Sequence, residues 1–159
     1  MRARRPGLAG LAAALAMALT AAAAENPTGV DAIAVVVGRS SFVGEVDRDG
    51  LRELYLRRQR VWPNGAPVIP VNLPAGHALR EEFSRLVLGR SSRDLVSYWN
   101  GRYFDGIRPP IVLPSAAAVR AYVAAEPAAI GYVPIGEVDE TCRILLRVPR
   151  PLGSEKEGR

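Results

Sequence analysis

The chain has 159 residues, a formal charge of +5, 48% hydrophobic and 6% aromatic residues, one cysteine and one histidine. That length suits one domain with a real core. The lone Cys142 excludes an internal disulfide, and a single histidine without a cysteine cluster leaves a metal site no ligands to call on.

The first residues, "MRARRPGLAGLAAALAMALTAAAAENP", carry Arg2, Arg4 and Arg5, an apolar run over 8–19 and small residues through Ala24. This is the pattern of a secretory signal peptide with an A-x-A site before Glu25, and its apolar core is short for a membrane span. Residues 1–24 are therefore read as a cleaved signal, 25–149 as the folded domain and 150–159 as a disordered polar tail, with a periplasmic location. Without the signal the formal charge falls to about +2. So small a charge, in an exported protein, argues against nucleic acid as a partner.

"DAIAVVVG" (31–38) is a β-branched run between turn residues, as in a strand buried on both faces. "DRDGLRELYLRRQRVW" (47–62) has Asp47 or Asp49 as N-cap and Leu51, Leu54 and Tyr55 at i, i+3, i+4, which predicts a helix ended by the turn "WPNGAP". Arg57, Arg58 and Arg60 at its end are either a solvated face that complements the C-terminal dipole or a dock for an acidic partner. "VIPVN" (68–72) is a second strand, in which Pro70 predicts an edge position or a strand end. Leu79, Phe83, Leu86 and Val87 form the stripe of a helix that Gly89 stops. "SSRDLVSYWNGRYF" (91–104) predicts another helix, capped by Ser92, with Leu95, Tyr98 and Trp99 on one face. Tyr98, Trp99, Tyr103 and Phe104 are expected to close the core beneath the helix pair.

"PPIVLP" (109–114) is a short third strand, and "SAAAVRAYVAAEP" (115–127) a helix capped at Ser115 with Val119, Tyr122 and Val123 on its stripe. "AIGYVPI" (129–135) and "TCRILLRV" (141–148) are two more strands. Gly131, between apolar strand residues, marks a close approach of another segment, and Cys142 reads as a buried inert thiol. The order β-α-β-α-α-β-α-β-β predicts an α/β fold, a mostly parallel sheet flanked by helices.

Taken in order and spacing, "LRELYLRRQRVWPNGAPVIPVNLP" (51–74), "REEFSRLVLG" (80–89), "YWNGRYFDGIRPP" (98–110) and "AAIGYV" (128–133) resemble the small, single-lobe relatives of the phosphate-binding proteins of phosphate ABC transporters. The likeness runs over 33–133, with Trp62 and Gly65 in the turn after the first helix, 68–88 at the ligand-binding turn and helix, and 129–133 at the later strand. It implies a periplasmic-binding-protein-like α/β lobe with a present or former solute-binding role, no cofactor and no catalysis. As partners it implies a small anion, phosphate by family analogy, and an envelope or ABC transporter membrane component. Two-lobe members begin the corresponding helix with an Arg and a Ser-Gly-Thr type turn. Here "NLPAGHALR" (72–80) keeps only the glycine, Gly76, so tight phosphate binding is not implied. The chain is also about half the length of a two-lobe member, leaving the second wall of a cleft to another molecule or to none.

Ligands of open α/β sheets bind beyond the C-terminal ends of the strands. "GRSS", "NLPAGH" and "PS", after the first, second and third strands, would set Arg39, Ser40, Ser41, Asn72, Gly76, His77 and Ser115 along one edge. Gly76 either lets helix-start amides approach an anion or merely permits the bend. Ser115 either donates to the ligand or only caps its helix. His77 is expected to be neutral, donating one N–H to an anion or solvated in the turn. Arg80 either reaches back over the helix start or pairs with Glu81 or Glu82 and faces water. The candidate ligand-binding set is thus Ser40, Ser41, Asn72, Gly76, His77, Arg80 and Ser115. Two functions follow: weak binding of a small anion, or an envelope protein–protein interaction module that keeps the fold without solute binding.

Overall fold

A computed structural model describes residues 32–151. The signal peptide read over 1–24 and most of the tail read over 150–159 lie outside the described residues.

β1 (Ala32–Gly38) is buried from its second residue onward, as its unbroken β-branched run demands. α1 (Arg48–Tyr55) starts at Asp47, whose Oδ1 accepts the Gly50 N–H at 2.7 Å, and buries Leu51, Leu54 and Tyr55. It stops well short of Trp62. Two bonds close it, Arg57 N–H to Leu54 O at 3.1 Å and Arg58 N–H to Glu53 O at 2.9 Å, with Arg57 in the left-handed region at φ 57°. A non-glycine residue there costs about 1–2 kcal/mol. Arg57 offsets this by donating from Nη1 to Val68 O at 2.7 Å, a charge-assisted bond of comparable size.

β2 (Ile69–Asn72) leads into α2 (Ala78–Phe83), which continues as a π-helical turn over Ser84–Leu88 and closes at Gly89. α3 (Ser92–Phe104) is capped by Ser91 rather than Ser92. Ser91 Oγ accepts the Asp94 N–H and the Asp94 carboxylate accepts the Ser91 N–H, each at 3.2 Å, so two orphan donors are satisfied reciprocally. Ser92 instead gives its hydroxyl to the Glu81 carboxylate on α2, which holds that carboxyl below its ordinary range. β3 (Ile111–Val112), α4 (Ala116–Ala125), β4 (Ala129–Pro134), a 3-10 turn (Ile135–Glu137) and β5 (Cys142–Pro149) complete the expected order.

The sheet is mixed, which corrects the mostly parallel expectation. Its order is β3-β2-β4-β1-β5, with β2 parallel to β3 and β4 but β1 antiparallel to both β4 and β5. The reason lies between α1 and β2. After α1 the chain turns back on itself through the Val61–Pro67 bridge and the Val68 N–H to Arg60 O bond, 2.9 Å. It therefore re-enters the sheet from the end at which β1 left, and β2 must run opposite to β1.

Pro70 lies inside this sheet, not on an edge strand. Ile69 N–H donates toward β4, to Ala128 O at 3.2 Å, so the next nitrogen faces β3, where pairing starts only at Val71. No ladder bond is lost. Pro70 is thus neither on an edge strand nor at a strand end, and both halves of the expectation are corrected.

On one side of the sheet Phe83 stacks on Tyr132 with ring centroids 3.9 Å apart, and Tyr55 lies tilted against Phe83 at 4.7 Å. The Tyr55 hydroxyl donates to Val71 O at 2.9 Å and Ile130 O at 3.3 Å, which ties α1 to β2 and β4. Burial pushes that hydroxyl well above its ordinary pKa. α4 packs against β1 and β4 through Val119 and Val123, both fully buried. At Gly131 an added Cβ would lie 2.5 Å from Val119 Cγ1 and 3.3 Å from Val123 Cγ1, so the expected close approach is to α4. Gly131→Val is expected to cost on the order of 2–3 kcal/mol by overpacking, read as a lower urea midpoint. An unchanged midpoint would remove α4 from this face.

α3 packs thinly. Its only fully buried side chain is Leu95, and half-buried Tyr98 donates its hydroxyl to Leu56 O at 2.8 Å. Tyr103 and Phe104 are 71% and 89% exposed and do not close the core. At 100° per residue they fall round the helix from the inward line of Leu95 and Tyr98.

Candidate anion-binding site

The mixed sheet divides the candidate residues between its two ends. Asn72 ends β2, Gly76 and His77 precede α2, and Ser115 follows β3, whose end is tied to β2 by Leu113 N–H to Asn72 O at 2.9 Å. These share one edge. Arg39, Ser40 and Ser41 follow β1, which runs the other way, and so lie at the opposite edge. Ser41 Oγ donates to Pro127 O at 2.6 Å and accepts the Val43 N–H at 3.2 Å, both loop-fixing bonds. The single edge expected from an all-parallel reading is corrected for Arg39, Ser40 and Ser41.

Asn72 is 7% exposed, and its Oδ1 accepts from the Tyr132 hydroxyl and from the Leu73 N–H at 3.1 Å. Burial raises the Tyr132 hydroxyl far above its usual pKa, so it remains a donor at any ordinary pH. With Oδ1 held, the amide orientation is fixed, and Nδ2 has no hydrogen-bond partner among the described residues. Tyr132 was not among the sequence candidates. The signal was present: in "AIGYV" it carries the only polar side-chain atom of a buried strand, and such an atom must find a partner.

Pro74 to His77 form a β-turn, with His77 N–H donating to Pro74 O at 3.1 Å and Gly76 at φ 84°. That conformation favours glycine at the third turn position. A Cβ on Gly76 would meet nothing within 4 Å, so a larger residue would strain the turn without crowding the helix-start amides. His77 is the N-cap of α2: Nδ1 accepts the Leu79 N–H at 3.2 Å, which places the neutral ring's proton on Nε2. Ser115 Oγ accepts the Ala118 N–H at 3.2 Å, the capping role, while its hydroxyl proton stays free for another acceptor.

Arg80 takes the first of its two expected courses. It reaches back over the start of α2, and Nη1 donates to Leu73 O at 2.9 Å, beside the residue that ends β2. A guanidinium is thereby stationed near the helix start. The edge then holds Arg80, Asn72 Nδ2, His77 Nε2 and the Ser115 hydroxyl as donors, with the N–H groups of Ala78 and Arg80 unpartnered among the described residues. This set suits an oxyanion. Concavities of about 700 Å³ lie elsewhere, between residues 43–50, Trp62 and β5, and beside Arg57–Val61. Among the described residues no group of three His, Cys, Asp or Glu could hold a metal, and no helix is long and apolar enough to cross a membrane.

No family model matches the sequence, and no characterised protein matches it significantly. Solved structures do match the fold. One, described as a phosphate ABC transporter substrate-binding protein from Clostridium perfringens with bound phosphate, superposes with a TM-score of 0.60 at 17% identity, over 74% of this chain and 46% of that one. An ABC-type phosphate transport receptor from Vibrio cholerae gives 0.58 at 19% identity, over 74% and 47%. PstS from Borrelia burgdorferi gives 0.51 at 14%, over 67% and 41%. The chain thus spans less than half the length of each, and what it shares with them is an α/β fold of the phosphate-binding-protein kind.

Proposed function

We propose that this lobe binds a small oxyanion, phosphate by analogy with its structural neighbours, at the edge where β2 and β3 end, and that it acts in the periplasm by binding rather than catalysis. One observation carries the reading. Arg80 is drawn back to Leu73 O, so the turn that lacks the family's own arginine still has a full positive charge beside its helix-start amides. So few charge-assisted bonds support a dissociation constant of roughly 0.1–1 mM, weakened by salt.

Calorimetric titration with phosphate, sulfate and a dicarboxylate tests it. Phosphate and sulfate are expected to bind within a few-fold of each other, and Arg80→Ala to weaken both by about tenfold with the fold intact by circular dichroism. Nanomolar phosphate affinity, or affinity that survives Arg80→Ala, would place any site elsewhere.

The second reading, an envelope interaction module, is favoured by the number of donors and acceptors already committed. Ser41, Asn72 Oδ1, His77 Nδ1 and Ser115 Oγ all serve intramolecular bonds. A folded chain that binds none of the three anions is the result that selects this reading.

A further inference from the structure

α3 is a 13-residue helix that buries one side chain fully, and among the exposed Arg93, Ser97 and Asn100 its solvent side also carries the large apolar side chains Val96, Tyr103 and Phe104. Val96 and Tyr103, at i and i+7, lie on one stripe of the helix with Trp99, whose half-buried ring packs against the core on one side and borders this stripe on the other. Val96 is 58% exposed, and Phe104, edge-on to Tyr103 at 6.2 Å, extends the stripe at its end. Neighbouring exposed aromatic and aliphatic side chains of this kind mark interaction surfaces.

The charge around the stripe is positive. Arg93 lies one turn before Val96, and Arg90 and Arg102 stand over the Tyr98 ring at 5.6 and 5.9 Å. The acidic residues of this segment are already engaged, Asp94 in the capping box and Asp105 with Arg102 at 3.5 Å. Arg90 and Arg93 make no ion pair among the described residues. A second copy of this face would set arginine against arginine. We propose that the outer face of α3 docks a different chain: an acidic, amphipathic segment whose apolar side chains cover Val96, Trp99, Tyr103 and Phe104 and whose carboxylates meet Arg90 and Arg93. No residue of this surface belongs to the anion-binding edge.

The test is fluorescence anisotropy of the full chain with a labelled synthetic peptide carrying Leu and Glu at helical spacing, at low and high salt, beside the same peptide with Lys for Glu. The Glu peptide is expected to bind, and to bind about tenfold more weakly to Tyr103→Ala/Phe104→Ala and to Arg90→Ala/Arg93→Ala. All four side chains reach the surface, so circular dichroism should report an unchanged fold. Arg147→Ala, an exposed arginine on β5, and Arg80→Ala should leave binding unchanged, which separates this surface from the anion edge. Equal binding of the Lys peptide, equal loss with Arg147→Ala, or no binding by the folded chain overturns the proposal. So does tighter association with phosphatidylglycerol vesicles that depends on the same arginines, which would make the face a lipid surface.

Discussion

Gly38→Ala is expected to be among the most damaging single substitutions in the fold, costing at least about 3 kcal/mol. A Cβ at Gly38 would lie 2.3 Å from Val123 O and 3.2 Å from Ala124 Cα. Both are backbone atoms of α4, which no side-chain rotation can move aside, so the helix itself must lift from the end of β1. At Gly131 the obstacle is the tip of Val119, which has some freedom to give. Alanine also stiffens the unfolded chain, a stabilising effect of about 0.4–1 kcal/mol, too small to reverse the sign. A urea unfolding curve reads the outcome, and a midpoint equal to the parent's would mean that α4 does not rest on β1.

Phe83→Ala should be comparably severe, about 3–5 kcal/mol. Phe83 is 1% exposed, stacked on Tyr132 and tilted against Tyr55, so its removal opens a cavity and breaks two aromatic contacts. Against a total stability of about 5–15 kcal/mol for a domain, that loss is large, on the order of 15 °C or more in Tm. Tyr132 also loses the face that positions its hydroxyl on Asn72, so phosphate affinity should fall in whatever fraction stays folded. Thermal denaturation followed by near-ultraviolet circular dichroism checks it. A shift of only a few degrees would show that the ring is not a core element.

These effects rest on contacts between segments far apart in the chain, and that is where sequence reading loses its reach. Tyr103 and Phe104 have the composition of core residues, and only the packing of Leu95 and Tyr98 against the body decides that they face outward. Arg80 has acidic neighbours in sequence, yet it is drawn to the carbonyl of Leu73. Local pattern cannot weigh a surface ion pair worth a fraction of a kcal/mol against a charged bond to a strand end.

What the sequence determined by itself was local: the types and order of the elements, a cap at Asp47 or Asp49, of which the structure takes Asp47, the Ser115 cap, the helix stop at Gly89 and the close approach at Gly131. Each follows from interactions within a few residues or from the burial of a continuous apolar run, and both leave a periodic trace. Only the tertiary structure decided the direction of β1, and with it which candidate residues meet. The return of the chain between Arg60 and Val68 depends on a strand bridge and on a guanidinium reaching back to Val68 O, with Trp62 Nε1 bonded to the distant Ala128 O at 2.9 Å. An antiparallel β1 carries Ser40 and Ser41 to the far edge and leaves Asn72, Gly76, His77, Arg80 and Ser115 together, because strand direction is fixed by how a connection closes in space and not by the residues of the strand.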